Sequence, residues 1–192
     1  MSTFQPIATR RSVTGISTGK LAIWWVLGSE IVIFGGLLAC YLLLRTLHGS
    51  WTEQAAHTNT LAGAINTFVL LTSSLFAVLA HHAAEKKDSA GAFKYLWLTI
   101  LGALMFLVVK SFEWSGEIQH GFTPKSNLFW AFYYTAAGLH GLHVIAGALI
   151  MAIISLDVRK GVNLQRVEFI GIYWHFVDIV WIFLFPLLYI AK

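Results

Sequence analysis

Long apolar runs separated by short polar segments organise this chain. Five runs can be read, at about 21–47, 61–84, 93–112, 128–156 and 168–191. Each is near or above the roughly 20 residues that a helix needs to cross the hydrocarbon of a bilayer. The pattern predicts an all-α fold, a polytopic membrane protein built as a five-transmembrane-helix bundle. Residues 1–20 read as an N-terminal tail and 21–192 as one transmembrane domain. No linker or shift in composition marks a second domain, and no fixed-period repeat or low-complexity tract interrupts the pattern.

Composition sharpens this picture. The chain is 57% hydrophobic and 11% charged, where a soluble domain carries roughly a quarter charged residues. The net charge of +4 matters less than its placement. With the tail inside, Arg10, Arg11, Lys20, Lys86, Lys87, Lys94, Arg159, Lys160 and Arg166 fall on the cytoplasmic side, nine of the thirteen basic residues. Basic residues near span ends set orientation, so the N-terminus is expected in the cytoplasm and the C-terminus outside. Trp51, Trp114 and Trp130 lie near the expected outer boundary, where interfacial tryptophans gather. No basic patch lies beyond the membrane-flanking loops, which argues against a nucleic-acid partner. Thr9-Arg10-Arg11-Ser12-Val13 faintly resembles a twin-arginine export signal. The span-length apolar segment that follows, with Glu30 inside it and no convincing cleavage site, favours a retained tail. The single cysteine, Cys40, has no disulfide partner in the chain and is expected to be a small buried apolar residue.

Ionisable residues inside spans then demand an explanation, because hydrocarbon penalises them unless they pair or face protein. Glu30 lies about 13 Å into the first span at the helical rise. His140 and His143 share a face of the fourth span, and His175 and Asp178 a face of the fifth. Spans four and five run antiparallel through a short loop, which places His143 and His175 at comparable depths, roughly 10–20 Å from the tail side. Three readings compete: interhelical hydrogen bonds that fix packing, a transition-metal site, and a proton relay through Glu30 and the His and Asp groups.

Other polar positions carry weaker signals. Lys110 and Glu113, three apart near the outer end of span three, read as a local ion pair. Glu168 opens span five, where a carboxylate suits the helix dipole. His81 and His82 close span two as interfacial residues, and His57 and His120 fall in outer loops without a signal. Small residues in span one (Gly28, Ser29, Gly35, Gly36, Ala39) and span four (Ala136 to Gly138, Gly141, Ala146 to Ala148) predict close helix packing, within this chain or against a partner.

Four blocks resemble one known family, subunit III of the haem-copper oxidases, typified by cytochrome c oxidase subunit III. Ser29-Glu30 resembles its intramembrane glutamate motif. Asn66-Thr67, Leu70-Leu71-Thr72-Ser73-Ser74 and Ala80-His81-His82 resemble its next helix. The run from Gly138 through His140 and His143 to Gly147, and the run from Tyr173 to Trp181, resemble its most recognisable internal and C-terminal motifs. Glu113 and Glu168 stand where family members carry glutamates. Longer members have seven helices. This chain opens at what resembles their third, as in five-helix bacterial forms, and a partner subunit is expected to supply the equivalent of the missing pair.

The resemblance implies a non-catalytic core subunit of a proton-pumping terminal oxidase, of the aa3 or caa3 cytochrome c oxidase type, in a bacterial cytoplasmic (inner) membrane. It implies no cofactor and no metal bound by this chain, with haem and copper in partner subunits I and II. Subunit I in direct contact, subunit II, a small subunit IV and membrane phospholipids are the implied partners, and cytochrome c or quinol the donor to the complex. Glu30, His140, His143, His175 and Asp178 are then expected to form an internal polar network that packs helices and supports proton delivery to subunit I. Asn66, His81, His82, Glu113 and Glu168 are further family-matched positions. Within the family, a quinol oxidase or a nitric-oxide-reductase-associated homologue is the alternative. A small proton-coupled transporter is more remote, because Pro186 is the only proline inside a span and no inverted repeat is seen.

Overall fold

A computed structural model of the chain describes residue 15 and residues 17–49 and 51–190. The expected tail is therefore largely outside the described residues. Six α-helices follow in order: α1 Thr18–Leu47, α2 Thr52–Ala56, α3 Thr60–Glu85, α4 Ser89–Gln119, α5 Leu128–Arg159 and α6 Gln165–Phe185, with a π-helical turn over Pro186–Ile190. All but α2 are long and apolar enough to span a membrane, the last counted with its π turn. The result is the all-helical, five-span bundle that the apolar pattern predicts.

Local chemistry sets where the helices start. Ser17, Asn59, Asp88 and Asn127 each accept a hydrogen bond from the backbone N–H three residues on, covering one of the donors left open at a helix N-terminus. Between α3 and α4 only three residues intervene, with Lys87 in the left-handed region. Between α5 and α6, Gly161 and Asn163 both take positive φ, which these residue types tolerate. At the other end, Pro186 brings no backbone N–H, so the α-helical ladder is interrupted there. The chain continues as the π turn and buries Leu188 and Tyr189.

Packing is uneven. The α3–α4 hairpin is the most extensive pairing, and α6 lies against both α3 and α5. Helix α1 touches the rest mainly through α6. Only Leu27, Phe34 and Tyr41 of α1 are buried, a single stripe seven residues apart. Its small residues Gly28, Gly35 and Gly36 face open space, and Cys40 is exposed on the outer side of α1 rather than buried as its residue type suggests. Tight contact occurs elsewhere: a Cβ on Gly102 of α4 would stand 2.6 Å from Cβ of Ser73 on α3. Gly102→Val should force the hairpin apart and cost about 1–3 kcal/mol, read as a lower unfolding temperature; an unchanged temperature would count against this close approach.

Two further sequence expectations need revision. Helix α4 runs seven residues beyond the expected end at 112, because Lys110, Glu113 and Glu117 turn inward and are buried. Trp51 and Trp130 also point inward, at 8% and 0% exposure, so they pack the bundle rather than anchor it at an interface. Trp51 sits against Tyr41 and Phe129, Trp130 against Phe122 and Tyr133.

Candidate functional site

Glu30 stands one helical turn from both Leu27 and Phe34, on the inward stripe of α1. Its Oε2 lies 3.0 Å from Nε2 of His143 on α5, with both side chains 16% exposed. The approach is close in distance but its angle falls short of a hydrogen bond. The other ring nitrogen, Nδ1, is 2.8 Å from the carbonyl of Leu139. A carbonyl only accepts, so Nδ1 carries the hydrogen and a neutral ring would present a bare Nε2 to Glu30. One further proton, on either the ring or the carboxyl, is needed to make this contact attractive. Phe34 packs edge-on against the ring, and Tyr173 of α6 donates to the His143 carbonyl at 3.3 Å. The pair lies at the edge of the bundle, where α1 meets α5 and α6.

The remaining candidates lie apart from that pair. His175 shares a hydrogen bond with Ser74 of α3, Nδ1 to Oγ at 2.7 Å. Asp178 is 4% exposed, and neither carboxylate oxygen has a hydrogen-bond partner among the described residues. Ser74 lies near it, but that hydroxyl is engaged with His175. His140 is fully buried between Phe106, edge-on at 5.3 Å, and Trp181 at 5.1 Å, with both nitrogens unpartnered among the described residues. Asn66 is likewise fully buried with its amide unpartnered among them. The tryptophans of the C-terminal motif hold α6 to α3: Trp174 donates to Ser73 at 3.1 Å and Trp181 to Thr67 at 3.0 Å. At the tail end, Glu168 pairs with Lys20 of α1 at 2.6 Å. His81 and His82 lie 3.5 and 3.7 Å from Glu85. These exposed pairs contribute little to stability.

A second polar cluster occupies the opposite end of the bundle. Lys110, 4% exposed, donates to Glu113 at 3.1 Å, to the Tyr133 hydroxyl at 3.0 Å, and to the hydroxyl of Tyr189. Tyr133 reaches Glu113 at 2.8 Å and Glu117 at 3.1 Å. The Lys110–Glu113 ion pair is thus present as the spacing predicts, but inside a buried five-residue constellation rather than at a wet helix end. Sequence reasoning missed Glu117, Tyr133 and Tyr189. The positions 110, 113 and 117 share a helix face, a signal that could have found Glu117; nothing in the pattern points to the tyrosines.

Comparison with known proteins bears on what these sites serve. A model of the family described as cytochrome c oxidase subunit III matches residues 2–192. The chain belongs to that family. It is 33% identical to cytochrome c oxidase subunit 3 of Corynebacterium diphtheriae over 100% of this chain and 96% of that one. It is 38% identical to the subunit 3 of Thermostichus vulcanus, over 84% and 82% respectively. A probable subunit 3 of Nocardia farcinica is 34% identical, over 92% and 88%. As an oxidase subunit III, the chain is a multi-pass membrane protein that works in a complex with other oxidase subunits, and its family has no redox centre of its own.

Proposed function

We propose that the chain is the non-catalytic subunit III of a proton-pumping aa3- or caa3-type cytochrome c oxidase in a bacterial inner membrane. In this reading it lies with its N-terminus in the cytoplasm, stabilises subunit I and supports proton uptake while oxygen is reduced to water. Haem and copper sit in subunits I and II, and cytochrome c delivers the electrons. The observation that carries the reading is the Glu30–His143 contact. The pair sets a carboxyl and an imidazole side by side at the edge of the bundle, where another subunit can meet it. The positive charge on the tail side supports the orientation. The remaining motif residues, His140, His175 and Asp178, pack α5 and α6 against α3 and α4.

Co-purification tests the assembly: the chain should isolate with subunits I and II, and subunit II should bind copper. A subunit II without a copper domain would instead make the complex a quinol oxidase. Glu30→Gln tests the role. It removes the proton-holding carboxyl while keeping size and shape, so haem content and initial turnover should stay near wild type, and activity should decay several-fold faster during sustained turnover. Unchanged decay, or haem lost from assembled complex, would sink the reading.

A further inference from the structure

Glu117 is 7% exposed, and its Oε2 has no hydrogen-bond partner among the described residues. It belongs to the Lys110 constellation, whose hydrogens can be counted. The Lys110 ammonium has three N–H groups, directed to Glu113 and to the hydroxyl oxygens of Tyr133 and Tyr189. Tyr133 owns one further hydrogen but lies within bonding distance of two carboxylates, Oε1 of Glu113 and Oε1 of Glu117. It can serve only one. With both glutamates ionised, Tyr189 can serve Glu113 and Tyr133 can serve Glu117, but Oε2 of Glu117 still has no partner among the described residues. The charge count decides the matter: one lysine against two glutamates leaves one uncompensated negative charge, and burying an unpaired charge is costly.

One added proton closes the charge count. Placed on Glu117, it donates to the Tyr133 hydroxyl oxygen. Tyr133 then gives its hydrogen to Glu113, Tyr189 turns its own hydrogen to Glu113, and every donor has an acceptor. The cluster becomes neutral, with Lys110 and Glu113 as the only ion pair.

A way in also exists. A cavity of about 330 Å³ is lined by Glu113 and Glu117 together with His57, Asn59, His120 and Phe122. His120 holds its Nδ1 against the Gly116 carbonyl at 2.7 Å, so its Nδ1 carries the hydrogen and a neutral ring leaves Nε2 as an acceptor. The groups that face Glu117 come from four directions. Lys110, Glu113 and His120 are on or just beyond its own helix, Tyr133 and Tyr134 are on α5, and Tyr189 is on the terminal π turn. His57 looks in from the segment between α2 and α3.

We propose that Glu117 is a proton-binding site, loaded from solution through the His57–His120 cavity and held by Tyr133 against the Lys110–Glu113 ion pair. It is a second protonatable centre of this subunit, near the C-terminal end of α4 and separate from Glu30, which sits mid-helix in α1. It does not depend on the role of Glu30 in turnover.

Infrared difference spectra of the purified complex, taken between neutral and alkaline pH, test the site. Wild type should show the carbonyl stretch of a protonated carboxylic acid that disappears on alkalinisation. Glu117→Gln should remove that band and still assemble, because the amide mimics the neutral acid. Glu113→Gln should remove it too, with Glu117 intact, because one lysine then balances one glutamate. The proposal is overturned if either substitution leaves the wild-type acid band at full amplitude, or if the signal is a cation-dependent carboxylate change with no acid band; intensity common to wild type and both variants belongs to other carboxyls such as Asp178. A measurement on wild type guards against misfolded variants. An apolar carbodiimide, which attacks protonated carboxyls, should label Glu117 and not Glu113 at neutral pH, with labelling lost at alkaline pH. Equal labelling of the two, or none at Glu117, would also overturn it.

Discussion

Lys110→Met should cost the subunit about 3–5 kcal/mol, the range expected when one partner of a buried ion pair is removed. Lys110 is 4% exposed and its ammonium is the one cation among Glu113, Glu117, Tyr133 and Tyr189. Its positive charge also lies within 6 Å of four aromatic rings, at 4.6 Å from that of Tyr133 and 5.0 Å from that of Tyr189. Methionine fills similar space and leaves two carboxyls with no counter-charge. The variant's native state would meet that problem by binding protons that the unfolded chain does not bind. Its deficit should therefore be largest at alkaline pH and shrink as pH falls. Adding Glu113→Gln should restore part of the loss, because a single remaining carboxyl can be neutralised by one proton. The apparent unfolding temperature of the complex, followed against pH, checks all three statements. A pH-independent loss would show that Lys110 acts through packing alone.

Trp174→Ala should cost about 3 kcal/mol or more. Trp174 is fully buried, its indole N–H is donated to Ser73, and its ring lies 3.0 Å from where a Cβ on Gly147 would stand. This one side chain therefore wedges α6 between α3 and α5. In a bilayer the transfer part of the penalty is small, since lipid is as apolar as the core. The lost contacts and residual cavity remain, and the Ser73 hydroxyl loses a donor. Trp174→Phe should lose less. Trp174→Ala with Gly147→Leu should recover part of the deficit by refilling the gap from α5. Thermal unfolding of the purified complex, or the fraction of the subunit retained in it, would report these differences. If the double variant is no better than Trp174→Ala alone, the wedge is the wrong account.

The helices were legible because hydrocarbon leaves so few options. Without water, backbone groups must be satisfied within the segment, so an apolar run of span length becomes a helix. Polar caps such as Asn59, Asp88 and Asn127 mark the starts locally. The Lys110–Glu113 contact was legible for the same reason, since residues three apart on a helix are neighbours. Less was legible where a charged residue ended an apparent span. The boundary near 112 followed hydropathy, yet α4 continues to Gln119 because its charges face Tyr133 and Tyr189 rather than solvent. Residue type also misled at Cys40 and at Trp51 and Trp130, whose burial is decided by which way their helix or loop faces.

An all-helical, five-span membrane protein with the motifs of its family in order was readable from the residues alone. Both follow from local terms: apolar length, helix caps and short contiguous patterns. Which polar side chains meet depends on the assembled bundle. Glu30 finds His143 and not Asp178, His175 finds Ser74 across a separation of 101 residues, and Lys110 meets Tyr189 across 79. Such pairings depend on the rotation and tilt of whole helices about their axes. A few tens of degrees of rotation, set by the summed packing of residues like Gly102 and Trp174, turns one polar side chain toward a partner and another away from it.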